Sequence, residues 1–191
     1  MKIKDMDVST LIKQTGKAEA NPGGGAILIL MSNLAVNLML MMNKKEWNNL
    51  KEEAIVSYET ILEYSKNLED LMQDDVNNFN YLMSKFKDND LQEEDYLKAS
   101  SALLSMIEIN LKSLEILEFY LNYGKKSTLT DGEIANNLLR EAIFSAFSTI
   151  DVNIKNTNVC IDYEQIKKQA LELYEKNKKI IERRKWWQLF M

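Results

Sequence analysis

Residues 22–42 read PGGGAILILMSNLAVNLMLMM, and this stretch decides the fold. It holds the chain's only proline, half of its six glycines, and then a run from Ala26 to Met42 without a charge. Three consecutive glycines carry a high backbone entropy cost, so they need a reason, usually a place where side chains would collide with a partner backbone or a ligand. The uncharged run is marginally short for a membrane span, and Ser32, Asn33 and Asn37 interrupt it. It follows a glycine loop and an amphipathic segment instead of a basic leader with a cleavage site. The expectation is a helix buried on all sides of a bundle. Its first amide N–H groups have no intrahelical acceptor and are free for a ligand's electronegative atoms. The search for a site therefore begins at residues 22–26.

Working outward, Val8, Leu11 and Ile12 mark a short amphipathic helix from about Asp7 or Ser9 to Gly16. Beyond Asn43-Lys44-Lys45, apolar positions recur every three or four residues at Trp47, Leu50, Ala54, Tyr58, Ile61, Ser65, Leu68, Met72, Val76, Phe79, Met83 and Phe86. That spacing predicts one long helix or two nearly collinear ones, closed by Asp88-Asn89-Asp90. A further helix runs from about Glu93 to Tyr120. Residues 122–132 form a loop, with Thr130 or Asp131 as N-cap of the next helix, which reaches about Lys155. The last helix spans Asp162 to about Lys185. No strand alternation, repeat or low-complexity linker interrupts this order, so the chain reads as one all-α domain over residues 1–191. The expected architecture is an up-and-down bundle of five to six helices with two long central ones.

At 191 residues and 46% apolar content the chain can bury a sizeable core. Lys+Arg 24 against Asp+Glu 29 gives a net charge of −5 and no basic stripe, which argues against nucleic acid as a partner. One cysteine, Cys160, allows no internal disulfide and points to a reducing, cytoplasmic setting. Histidine is absent, so proton transfer falls to carboxylates, lysines, tyrosines or amides, and no metal is expected.

Asp74 and Asp75 lie in the long stripe. At about 100° per residue, Asp75 falls on the flank of the Met72–Val76–Phe79 face while Asp74 points into solvent. A half-buried Asp75 needs a partner or a function; a border carboxylate paired with a lysine is the ordinary alternative. The 131–155 helix carries Ala135, Ala142, Ser145, Thr149 and Asn153 opposite its apolar side, which suits either close helix packing or a polar pocket. Asn33 and Asn37, one turn apart, admit the same two readings. The tail Arg183-Arg184-Lys185-Trp186-Trp187 suits packing on the bundle or a second subunit, or a membrane surface.

Taken in order, these elements resemble the cyclodeaminase/cyclohydrolase family. Its members include the cyclodeaminase domain of formimidoyltransferase-cyclodeaminase and the bacterial methenyltetrahydrofolate cyclohydrolases. The resemblance covers roughly residues 6–185 and lies in the order and spacing of short motifs. It implies that Pro22, Gly23, Gly24 and Gly25 line a folate site and that Asp75, four residues before Phe79, is the catalytic acid/base. It also implies that Asp131 after Thr130 and Asn153 bind the ligand, with Thr149 in place of the first asparagine of an Asn-x-x-x-Asn pair. Ala26 stands where the family has serine, Met41-Met42 where it has Leu-Thr, and Lys125 where it has asparagine. The resemblance further implies a tetrahydrofolate derivative as substrate, no metal, and a helical homodimer. The replaced polar positions keep a second reading open, a catalytically degenerate member serving as a folate-binding or assembly protein.

Overall fold

The computed structural model describes residues 2–17, 22–88 and 91–189, with side chains placed through Lys185. Helix α1 (Val8–Thr15) begins where Asp7 accepts a hydrogen bond from the Thr10 N–H at 2.9 Å, so Asp7 is the cap the sequence suggests. Leu11 packs against the core, while Val8 and Ile12 face solvent. Helix α2 (Gly24–Leu40) threads the bundle and buries Ala26, Ile29, Ala35, Val36 and Met39. It is not closed on every side as its composition predicts: Leu34 is 57% exposed and Met41, at its C-terminal end, 51%. An uncharged helix here leaves one apolar ridge in solvent.

A single 3-10 turn at Asn48–Leu50 separates Trp47 from α3 (Lys51–Lys87), a break the continuous apolar stripe does not foresee. Ala54, Ile61, Leu68, Met72 and Val76 keep the stripe in the core. Near its end the helix drifts relative to its neighbours, so Leu82 is buried while Phe86 is 63% exposed. A reciprocal cap between Gln92 and Asp95 starts α4 (Glu93–Tyr123). Helix α5 (Leu129–Ile154) begins earlier than expected. Thr130 and Asp131 sit inside its first turn, Thr128 takes the N-cap position, and no side chain caps it. Helix α6 (Tyr163–Leu189) completes the chain, and the described residues include no strand.

Each of α2 to α5 packs on the helix that follows it; α2 also lies against α5, and α4 touches α2, α3, α5 and α6. This is the all-α bundle of six helices that the hydrophobic spacing predicts. Asn33 donates to the Ser65 carbonyl at 3.2 Å and accepts from the Ser65 hydroxyl at 2.8 Å, while Asn37 donates to Asn33 and Ser65. The two asparagines therefore hold the register of α2 on α3. Asn136 and Asn177 do the same between α5 and α6, with Asn177 also donating to the Leu114 carbonyl of α4. The side chains of Trp186 and Trp187 lie outside the described residues, and with them the expectation that they pack on the bundle. Among the described residues no helix is long and apolar enough to cross a membrane.

Candidate functional site

The N-terminus of α2, the middle of α3, the first turns of α4 and the last turns of α5 converge on one cavity of about 410 Å³. Gly23, Gly24 and Gly25 form one wall, Asp75 and Phe79 of α3 a second, Ala99 of α4 the floor, and Ser148, Thr149, Val152 and Asn153 of α5 the third. Asp75 is the one ionisable residue in that lining.

None of the glycines adopts a positive φ, so the run is not there for a left-handed turn. Its role is to keep side chains out. A Cβ on Gly25 would lie 2.7 Å from the Asp75 Oδ2 and 2.8 Å from its Cγ, whereas one on Gly24 would meet nothing within 4 Å. Gly25 thus lets the carboxylate settle onto the helix terminus, and Gly24 leaves the cavity open. The Ala26 N–H donates to the Asp75 carboxylate, one of the first-turn amides without an intrahelical acceptor. Burial outweighs that hydrogen bond and pushes the Asp75 pKa up to about 6. The carboxylate is ionised at neutral pH yet basic enough to take a proton. Asp74, its neighbour, is exposed, as helical geometry predicts.

Asn153 donates its amide to the Ala99 carbonyl at 3.2 Å, which ties α5 to α4 and orients the side chain at the cavity edge. Among the described residues the half-buried Thr149 hydroxyl has no hydrogen-bond partner, and it lines the cavity. Pro22 is buried just before the glycine wall but does not line the cavity. Asp131 is not brought to it. Asp131 and Thr149 share α5 but sit near opposite ends, about 27 Å apart at 1.5 Å per residue. Lys125 and Lys126 are exposed beside Asp131's end of the bundle, with Lys125 N–H bonded to the Met42 carbonyl at 2.7 Å. Sequence reasoning missed Ala99, Ser148 and Val152 as walls; the two apolar ones carry no signal beyond packing, and Ser148 lies off the Ser145–Thr149–Asn153 face. Among the described residues no group of three or more His, Cys, Asp or Glu side chains is placed to hold a metal ion.

Residues 7–174 match the family model described as formiminotransferase-cyclodeaminase. Comparison with curated proteins gives no match. Among solved structures, the chain is similar to formiminotetrahydrofolate cyclodeaminase from Thermotoga maritima, with a TM-score of 0.74 and 22% identity over 95% of this chain and 93% of that one. That likeness is one of fold.

Proposed function

The chain belongs to the formiminotransferase-cyclodeaminase family, and on that premise we propose that it is a folate-dependent one-carbon enzyme working at Asp75. The observation that carries this reading is a single carboxylate, poised near neutrality, set against a helix terminus inside a cavity otherwise lined by neutral groups. A cavity of about 410 Å³ falls in the range that holds a small organic ligand. Two reactions fit. Water adds to the amidinium carbon of 5,10-methenyltetrahydrofolate, the bond from that carbon to N5 breaks, and 10-formyltetrahydrofolate forms with release of one proton. Alternatively, N10 of 5-formiminotetrahydrofolate closes on the formimino carbon and ammonia leaves.

Either route passes through a tetrahedral carbon and needs a proton moved between nitrogen or oxygen atoms. In this reading ionised Asp75 stabilises the amidinium cation, accepts the proton from the attacking group and returns it to the departing nitrogen. Gly24 lets the planar ring approach the backbone, and Thr149 and Asn153 orient it by hydrogen bonds. A homodimer joined over the exposed ridge of Leu34 and Met41, continued by Ile55 and Leu62 of α3, belongs to the same proposal. Within one chain Asp131 lies about 27 Å along α5 from Thr149, so this reading gives it no contact with a ligand held at Asp75. A reducing, cytoplasmic setting suits the free, exposed Cys160.

The test is direct. The purified protein is incubated with 5,10-methenyltetrahydrofolate, and the loss of its ultraviolet band is followed. Separately, 5-formiminotetrahydrofolate is supplied and ammonia release is measured. One of the two signals is expected. Absence of both, with tetrahydrofolate derivatives still bound, supports the degenerate, folate-binding reading that the serine-to-alanine replacement at Ala26 favours.

A further inference from the structure

Helix α2 is held at both ends by contacts that leave no room for a side chain, and only the N-terminal one belongs to the cavity. At the other end its last carbonyls meet the connection between α4 and α5. The Lys125 N–H donates to the Met42 carbonyl at 2.7 Å, and the Thr128 hydroxyl donates to the Met41 carbonyl at 3.2 Å. Gly124 makes this approach possible: a Cβ there would lie 2.9 Å from the Met42 carbonyl oxygen and 2.5 Å from that of Tyr120. Both are backbone atoms, which cannot swing aside as a side chain does. At Gly132, by contrast, an added Cβ would meet the side-chain ends of Met42 and Leu121, at 2.5 and 2.9 Å.

Gly124 is itself fixed in place. Its N–H donates to the Tyr120 carbonyl at 2.7 Å, and the half-buried Arg184 of α6 donates to the carbonyls of Gly124 at 3.0 Å and Leu121 at 2.6 Å. About 25 Å of helix, at 1.5 Å per residue, separate this joint from the glycine wall. From Ala26 to Met42 there is neither glycine nor proline to absorb a displacement by kinking. The helix is packed against α3, α4 and α5, and a close-packed interior passes strain on. At the far end Gly25 already touches the Asp75 carboxylate, and the Ala26 N–H donates to it.

We propose that Gly124 is a positioning residue for Asp75: the backbone joint it permits at the C-terminal end of α2 sets how deeply the first turn of that helix covers the carboxylate. The proposal rests on the role given to Asp75 above and adds to it a residue at the opposite end of the helix. Relieving a 2.9 Å contact to an ordinary van der Waals distance takes about half an ångström. A shift of that size uncovers Asp75 in either direction. Toward the carboxylate, it pushes the side chain into water; away from it, it admits water beside the oxygens. The titration of Asp75 reports this depth, because no charged group lines the cavity with it. Residues 23–42 carry no charge, nor do Ala99 of α4 and Ser148, Thr149, Val152 and Asn153 of α5, and Asp74 on its own helix is exposed.

Carbon-13 NMR of the Asp75 carboxyl in the full chain tests this. It reads the titration whether or not any folate turns over, so failure of the proposed reaction and failure of this inference are told apart. Lys125→Pro is the sharpest variant. Lys125 is exposed with φ −58°, and Gly124 before it is extended with ψ 178°, so proline fits the backbone. It removes the N–H that holds the Met42 carbonyl and sets a ring carbon against that oxygen. The Asp75 midpoint is expected to fall by about half a pH unit or more toward the ordinary aspartate value, and folate turnover to lose about tenfold in kcat/KM. Lys125→Ala keeps the N–H and drops only the charge, and should leave both unchanged. Gly124→Ala should act as Lys125→Pro does; should one of these two not fold, the other decides. Gly132→Ala, whose methyl meets side-chain ends, should leave the midpoint in place. The inference is overturned if Asp75 titrates as in the parent in the folded Lys125→Pro or Gly124→Ala protein. It is equally overturned if Lys125→Ala or Gly132→Ala moves the midpoint as far.

Discussion

The carboxylate of Asp75 rests on the α-carbon of Gly25, so close that a methyl group there would lie 2.7 Å from its Oδ2. That contact joins two segments fifty residues apart in sequence and explains why burial, rather than a neighbouring charge, governs the acidity of Asp75. Any side chain at position 25 would push the carboxylate out of the helix terminus and into water. The glycine is therefore a condition for the perturbed acid.

Gly25→Ala should displace the carboxylate and reduce turnover nearly as far as removing Asp75, while stability changes little, because the atoms in the way are the end of a side chain that can swing toward water. Gly24→Ala should behave differently, since its methyl meets nothing within 4 Å. Stability should hold or rise by up to about 1 kcal/mol, because alanine is the better helix former. The methyl enters the cavity, so KM should rise. Thermal unfolding and steady-state kinetics on both variants separate the two roles.

The acidity of Asp75 sets a pH dependence. Turnover at low substrate, reported as kcat/KM, should fall on the acid side with an apparent pKa near 6, as the carboxylate takes up a proton. A profile flat from pH 5 to 8 would show that no group of this acidity acts in the rate-determining step.

The same shift acts on stability with a definite sign. The folded-state value of about 6 lies above the ordinary aspartate value of about 3.9, so the folded state holds the proton more tightly than the unfolded chain. Between about pH 4 and 6 stability falls as pH rises, and above pH 6 the full penalty of a buried charge is present. Asp75→Asn removes that penalty. At pH 8 the variant should be more stable than the parent by on the order of 1–3 kcal/mol, an advantage that shrinks toward pH 4. Denaturant unfolding at the two pH values measures it; a variant less stable at pH 8 would show that the carboxylate is not desolvated.

Thr149 and Asn153 line the same wall but differ in what they already bond. Asn153 holds the Ala99 carbonyl, so Asn153→Ala should cost about 1–2 kcal/mol of stability as well as substrate affinity. Thr149→Val removes a hydroxyl with no partner among the described residues and should raise KM while the unfolding midpoint stays within the error of the parent.

Most of the helices and the placement of Asp75 were legible in the residues themselves. The three-and-four spacing from Ala54 to Val76 gives a helix, and its rotation puts Asp75 on the flank and Asp74 in water. The asparagines at 33 and 37 could be read only as two alternatives, because sequence does not tell which helix lies opposite; Ser65 settles them as register pins. The position of Asp131 escaped for a related reason. Motif order says that it precedes Thr149 on α5 but not that 26 residues of helix carry the two to opposite ends of the bundle.

The central claim is that the carboxylate at position 75 moves the proton in a reaction on a tetrahydrofolate one-carbon unit. It is tested most directly by kcat for 5,10-methenyltetrahydrofolate or 5-formiminotetrahydrofolate in the parent and in Asp75→Asn, at pH 7.5, with both shown to be folded by circular dichroism. The expected result is a loss of about 10²- to 10⁴-fold in a variant whose helix content and substrate binding are retained. A folded Asp75→Asn protein that turns over at the parental rate would contradict the account.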